Sequence, residues 1–380
     1  MTDFAAETRR LMAVRGYSQR RLALAAGIDP GDLSKMLNGI KAPTPANMAR
    51  MDDVLGADGS IRDSEPHRPA SARAAVPRRR LGAADADAVH AALASFRDID
   101  NRSGGGHAHA LAAAYLDTAV APMLRHGSYT EADGRLLFGA AAKLAALAAW
   151  TAYDNGAGKK AEHYFARALE LAAAAGDDAF TGEVLAARSH QAIHLGRPDR
   201  ALELARAARH AASGAGVPAL LAEAHELEAN GHALAGDRAE CARSLAACER
   251  EFARATPDST PSWLAYFDDA YLAARTAHTL RDAGDWQGAI GHGAEADRMP
   301  GALARARVFN RLIVATAHVQ GDRDAAIGEG RRALAMTAGI QSGRAASYTR
   351  DLRRRLRRRY GSGDPQVAAF DEEARQLLGS

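Results

Sequence analysis

Cysteine is nearly absent from this 380-residue chain, with Cys241 and Cys248 as the only two. Two thiols cannot build a disulfide framework or a four-cysteine zinc site. Seven residues apart on a helical segment, they share a face about 10 Å apart along the axis, too far for a bridge. Aromatic residues are few, at 6%, and only five lysines stand against 44 arginines. No stretch approaches the roughly 20 apolar residues of a membrane helix, and no apolar signal segment follows Met1. Membrane and secreted classes are therefore not expected, and the cytoplasm is the default compartment. Alternating β-branched runs are missing, which argues against a sheet. His225-Glu226 lacks a histidine at 229, and no Ser/His/Asp or nucleophile-elbow pattern emerges, so neither an enzyme nor a cofactor is expected. His190 and His194 share an i, i+4 face without a third ligand, so no metal is expected either.

What the chain has is alanine, leucine, arginine and uneven charge. Hydrophobic residues make up 47% and charged residues 25%, as in a folded globular protein. The net charge of +3 conceals three regimes. Residues 1–63 are nearly balanced, 64–81 carry an excess of +4, and 343–360 carry an excess of +7 from eight arginines and one aspartate. The remainder is acidic at −9, so any anionic partner meets local patches rather than a uniformly basic surface. Composition divides the chain accordingly. Residues 1–63 are a small helical unit punctuated by Gly16, Gly27, Gly39 and Gly56. Residues 64–83 are a Pro/Arg-rich linker containing Arg78-Arg79-Arg80. Residues 84–134 begin a helical body, and 343–380 form C-terminal capping helices. Leu352, Leu356 and Tyr360 fall on one face of the last basic helix, and its arginines are expected outside.

Residues 135–342 repeat. Each unit has a glycine, a small residue at +5, a variable position at +9 and a small residue at +12. The five instances are Gly156/Ala161/Phe165/Ala168, Gly196/Ala201/Ala205/Ala208, Gly236/Cys241/Leu245/Cys248, Gly284/Ala289/Gly293/Ala296 and Gly321/Ala326/Gly330/Ala333. The glycine breaks the chain between antiparallel helices, and the small residues let them approach. Both cysteines occupy small-residue slots. This spacing resembles the tetratricopeptide repeat, which implies an α-solenoid.

The strongest local pattern lies in 18–56. Ser18 caps a helix over residues 19–26, Gly27 turns, and Asp29 caps a second helix with Pro30 at its first position. Asn38-Gly39 ends it. Leu22, Ala23, Ile28, Leu33, Met36 and Leu37 form a small core closed by Met48, Met51 and Leu55. Ser18-Gln19, Leu22-Ala23, Gly27, Leu33-Ser34 and Asn38-Gly39 resemble the xenobiotic-response-element helix-turn-helix of phage repressors, implying a five-helix unit that binds duplex DNA. By that resemblance the second helix enters the major groove with Gly31, Asp32, Ser34 and Lys35 outward. Gln19 and Asn38 would meet phosphates, with Arg20, Arg21 and Lys41 adding charge.

Head and repeats together, with the segment Phe96 to His107 between them, resemble large bacterial regulators of the actinobacterial type. The resemblance implies an all-α protein: a helix-turn-helix DNA-binding domain followed by a tetratricopeptide-like solenoid. It would regulate transcription as a homodimer on a palindromic operator, its body sensing a small molecule or peptide. The alternative is a protein–protein adaptor whose helix-turn-helix only localises it. The Gly-rich run at 104–106 reads as an interhelical turn rather than an anion loop. The concave face of such a solenoid would present Lys143, Trp150, Tyr153 and Asp154, then His190 and His194, then Glu226 and Asn230. Tyr271, His278 and Arg281 follow, then Arg311 and His318. Asparagines, which fix peptide backbones in related grooves, are few here: Asn230 and Asn310.

Overall fold

A computed structural model describes residues 4–64, 79–299, 304–337 and 342–378, which fall into two units, Met1–Arg78 and Arg79–Ser380. The protein is all-α, with a helix-turn-helix domain followed by a solenoid-like helical body.

In the first unit, α1 (Phe4–Arg15), α2 (Gln19–Ala25), α3 (Pro30–Leu37) and α4 (Pro45–Leu55) close around Phe4, Leu11 and Ile61 together with every core residue expected from the sequence. The Ser18 side chain accepts from the Arg21 N–H at 3.2 Å, Asp29 from Gly31 at 2.9 Å and Asp32 at 3.0 Å, and Thr44 from Asn47 at 3.2 Å. Each cap satisfies an otherwise orphaned amide, worth about 1 kcal/mol. Gly27 sits at φ +64°, a conformation its side-chain-free backbone adopts without cost, and turns α2 into α3.

The expected fifth helix is not there among the described residues. Past Leu55 the backbone takes positive φ at Gly56, Asp58 and Gly59, which a right-handed helix cannot accommodate. Consecutive turns form instead, gathered by buried Asp52, which accepts from the Gly59 and Ile61 amides at 3.0 and 2.9 Å.

The second unit starts inside the segment read as linker. Leu81 is buried, its amide donates to the Ser128 carbonyl at 2.8 Å, and Arg79 pairs with Asp85. Arg78 lies outside the described residues. Helix α5 (Ala83–Ser103) ends at Gly104, and α6 (Gly105–Tyr115) passes through a π-turn (Leu116–Val120) into α7 (Ala121–His126). The α5–α6 junction is a plain, tight turn: a Cβ on Gly105 would lie 2.7 Å from the Thr151 carbonyl.

The body is then a run of antiparallel pairs: α8 (Glu131–Asp154) with α9 (Gly158–Ala175), α10 (Asp178–His194) with α11 (Pro198–Ala215), and α12 (Pro218–Ala235) with α13 (Arg238–Phe252). After these come α14 (Asp269–Ala283) with α15 (Trp286–Glu295), and α16 (Ala304–His318) with α17 (Arg323–Met336). The small-residue positions lie in the seams: Ala161, Ala168, Ala201, Ala208, Cys241, Cys248, Ala289, Ala296, Ala326 and Ala333 are all buried. Helix α8 is long and apolar enough to cross a membrane by length and composition, at variance with the expectation that no segment qualifies. Its alanine-rich surface is spent on packing against α5, α6 and α9.

Helices α18 (Gly343–Tyr360) and α19 (Pro365–Leu378) cap the stack. Leu352 and Leu356 are buried with Phe370 against the last pair. The arginines do not all face outward: Arg353 is buried on Asp371 at 2.8 Å, and Arg344 points back into the body.

Candidate functional site

Two sites stand out, one in each unit. The first is the outward face of α3. Its apolar side, Leu33, Met36 and Leu37, is fixed in the core, which leaves the remaining side chains outward. Gly31 and Lys35 are exposed, Asp32 and Ser34 half-buried. The polar groups are already organised. Lys41 Nζ donates to Asp32 Oδ2 at 2.5 Å, and Lys35 Nζ lies 4.0 Å from the other oxygen. The Lys41 hydrogen bond holds the Asp32 carboxyl below the usual range. Asn38 accepts from Arg9 at 2.9 Å, so a cation from α1 joins the rim, a residue sequence reasoning missed. Arg21 stacks 4.6 Å over the Tyr17 ring, Arg20 is exposed, and Gln19 is half-buried at the start of α2. A short polar helix face edged by arginines and lysines suits a major groove between two phosphate rows.

The second site is a cavity of about 410 Å³ within the body. Seven aromatic rings line it: Trp150, Phe180, Trp263, Tyr266, Tyr271, Phe309 and Tyr348. Of the residues expected on a concave face, Lys143, Trp150, His190, Tyr271 and His278 are on its wall. Tyr153 and His194 stand just behind. The Tyr153 hydroxyl is 3.3 Å from His190 Nδ1, and the His194 ring meets Tyr348 at 5.3 Å.

The other expected residues, His318 among them, do not line the wall, and the polar ends of Asp154, Glu226, Asn230, Arg281 and Arg311 are committed to internal pairs. Asp154 accepts from Arg344 at 3.0 Å, and Glu226 accepts from Arg275 at 3.0 Å and Thr279 at 2.7 Å. Asn230 donates to Asp282 at 3.0 Å, and Arg281 binds the same carboxylate. Arg311 bridges Glu329 and Asp297, tying α16 to its neighbours. Conversely, the wall includes Asn310, expected only as a groove asparagine, and Arg97, Asp100, Glu183, Arg275, Arg305 and Arg344, none of them anticipated as site residues. One signal was available. The Gly236-to-Gly284 interval runs 48 residues rather than 40, and the surplus forms the segment between α13 and α14 that brings Trp263 and Tyr266 to the cavity.

Electrostatics inside are unusual. The Tyr266 hydroxyl lies 3.2 Å from Glu183 and 3.0 Å from Glu223. Burial pushes the Glu183 carboxyl up to about 7, and burial with the Glu183 charge pushes Glu223 up strongly. The histidines move the other way. Burial and then the Arg344 charge hold His194 at about 4, while burial with neighbouring arginines holds His190 and His278 well below the usual imidazole value. Cys241 and Cys248 are buried, and burial raises both thiols, Cys241 to about 11.

Compared with known families, residues 3–64 match a family described as a helix-turn-helix domain. Comparison with curated proteins finds no match to the chain. The match covers the first unit and supports DNA as a partner and a DNA-binding regulator as the class of protein.

Proposed function

We propose that this chain is a transcription regulator that binds a specific duplex site as a homodimer and whose repeat body, tetratricopeptide-like in its spacing, senses a small molecule. The observation that carries the DNA reading is the outward α3 face with Asp32, Ser34 and Lys35, on a domain matching the helix-turn-helix family. Ser34 and Lys35 are the base-reading candidates, with Gln19, Arg20, Arg21, Asn38 and Lys41 on phosphates. A single such domain offers few base contacts, which favours a dimer on an inverted repeat. The sensory reading rests on the aromatic-lined cavity, whose size falls in the range of small-molecule sites. The body acts by binding, and no chemical step is assigned to it. Coupling requires that the signal prefer one arrangement of the two DNA-binding units over another.

Selection from a random duplex library tests this reading. The expected product is an inverted repeat with half-sites about 10–11 base pairs apart, centre to centre, or a multiple of that. Recovery of no enriched sequence would overturn it.

A further inference from the structure

We propose that the body's cavity takes a small organic anion, an aromatic or flat apolar molecule bearing one acidic group, with the anion held at Arg275, Arg344 and Lys143. This deepens the sensory reading above and rests on it for its biological role.

The charge balance of the wall carries the proposal. Three of its five cations have carboxylate partners: Arg275 has Glu226, Arg305 has Asp100 at 2.7 Å, and Arg344 has Asp154. Among the described residues Lys143 and Arg97 have no carboxylate within ion-pair distance, although the Arg97 charge acts on Glu183. The remaining wall acid, Glu183, is bound to Tyr266 beside a second carboxyl, a pairing that disfavours two charges. The cavity is thus left with an excess of positive charge in a low-dielectric, ring-lined space, where an anion is strongly favoured.

A second, independent observation concerns unmet hydrogen bonds. Arg275 Nη2 is buried and makes no hydrogen bond, although Glu226 Oε2 is 3.0 Å away. Asn310 Oδ1 is likewise buried without a donor. Leaving such groups unmade is costly, and both residues line the cavity. An acidic head group supplies a well-aligned acceptor for Arg275 Nη2 beyond the Glu226 oxygen it already faces, and a hydroxyl or N–H on the same molecule supplies the donor for Asn310. The rest of the space is shaped for a ring: the Arg344 guanidinium already stacks 4.4 Å over Phe309, and Lys143 Nζ lies 5.8 Å from the centre of the Phe180 ring.

The test uses the full chain and three probes of one shape: 2-naphthoate, neutral 2-naphthamide and cationic 2-naphthylmethylammonium. Tryptophan fluorescence reports binding, since Trp150 and Trp263 line the site. Naphthoate is expected to quench saturably and bind about tenfold or more tightly than the amide. Lys143→Met, which breaks no ion pair, is expected to weaken naphthoate about fivefold and leave the amide unchanged. Equal affinity for acid and amide, tighter binding of the ammonium, no saturable binding by any probe, or an unaltered naphthoate affinity in Lys143→Met each overturn the proposal. Failure of the sensory reading is distinguishable. Naphthoate bound with no effect on the selected DNA site removes that reading alone, whereas a neutral or cationic compound that shifts DNA affinity through the cavity removes the anion assignment alone.

Discussion

Arg344 Nε donates to Asp154 Oδ1 at 3.0 Å, joining residues 190 positions apart in the chain. The contact ties the first turn of α18 to the last turn of α8. Arg305 adds a second link, 3.4 Å from Asp154 and 2.7 Å from Asp100 on α5. The end of the helical stack is therefore fastened to its beginning around the cavity, whose wall includes residues of both.

Asp154 is the shared acceptor of that junction and is buried. Asp154→Ala leaves Arg344 without its partner and Arg305 with one fewer. Removing one side of a buried ion pair costs about 3–5 kcal/mol. Denaturant unfolding of the variant is expected to show a loss of that order. A change under about 0.5 kcal/mol, the level of an ordinary surface substitution, would show that the junction contributes nothing.

On the proposed DNA-binding face, Asp32 restrains two lysines. Asp32→Asn frees both and removes a negative charge that opposes phosphate. Affinity for scrambled duplex is expected to rise a few-fold, with a steeper salt dependence equivalent to about one further phosphate contact. Lys35→Ala is expected to act differently, losing about 1–3 kcal/mol on the selected site and less on scrambled DNA. Equal losses on both sequences would make Lys35 a phosphate contact rather than a base reader.

Stability should respond to pH through Glu183. Its carboxyl sits at about 7 in the folded chain against 4.5 for an unperturbed glutamate, because burial disfavours the charge. The folded state binds this proton more tightly, so the associated stability is full at low pH and is lost as pH rises through 7. Glu183→Gln has no such loss and is expected to gain on the wild type between about pH 5 and pH 8. The depressed histidines act with the opposite sign, costing stability below their ordinary 6.5, but they are common to both proteins and cancel in the difference. Glu223, raised in part by the Glu183 charge, is relieved in the variant, which adds to the same gain. Parallel pH profiles for the two proteins would contradict the assignment.

Close packing of the last pair against the capping helices α18 and α19 is tested at two glycines of α17. A Cβ on Gly330 would lie 2.8 Å from Phe370, whereas one on Gly328 meets nothing. Gly330→Ala is expected to cost about 1–3 kcal/mol by overpacking. Gly328→Ala is expected to stabilise by up to about 1 kcal/mol through helix propensity. Thermal unfolding separates them, and equal shifts would refute the seam.

The elements legible in the sequence are those whose determinants are local. Ser18, Asp29 and Pro30 cap helices within three residues of their own position, and the glycine-plus-small-residue spacing marks each seam because helix pairs are adjacent in the chain. Gly293 and Gly330 fell at the variable +9 position, and both sit where a side chain would collide, Gly293 with Val314. The cavity was half legible. Lys143, Trp150, His190, Tyr271 and His278 follow from helical periodicity. Arg344 and Arg305 reach it from the far end of the stack, and no local pattern encodes a contact across 190 or 205 residues. Asp154 and Glu226 were placed on the right helices, but which arginine each would face could not be read from one helix alone.

The central claim is that the α3 face reads a DNA sequence, and one measurement addresses it most directly. The full chain is titrated onto its selected duplex and onto a scrambled duplex across a salt series. The expected result is affinity at least about 1000-fold tighter for the selected site at physiological salt, with both affinities falling as salt rises. Equal, weak, salt-sensitive binding to the two duplexes would contradict it.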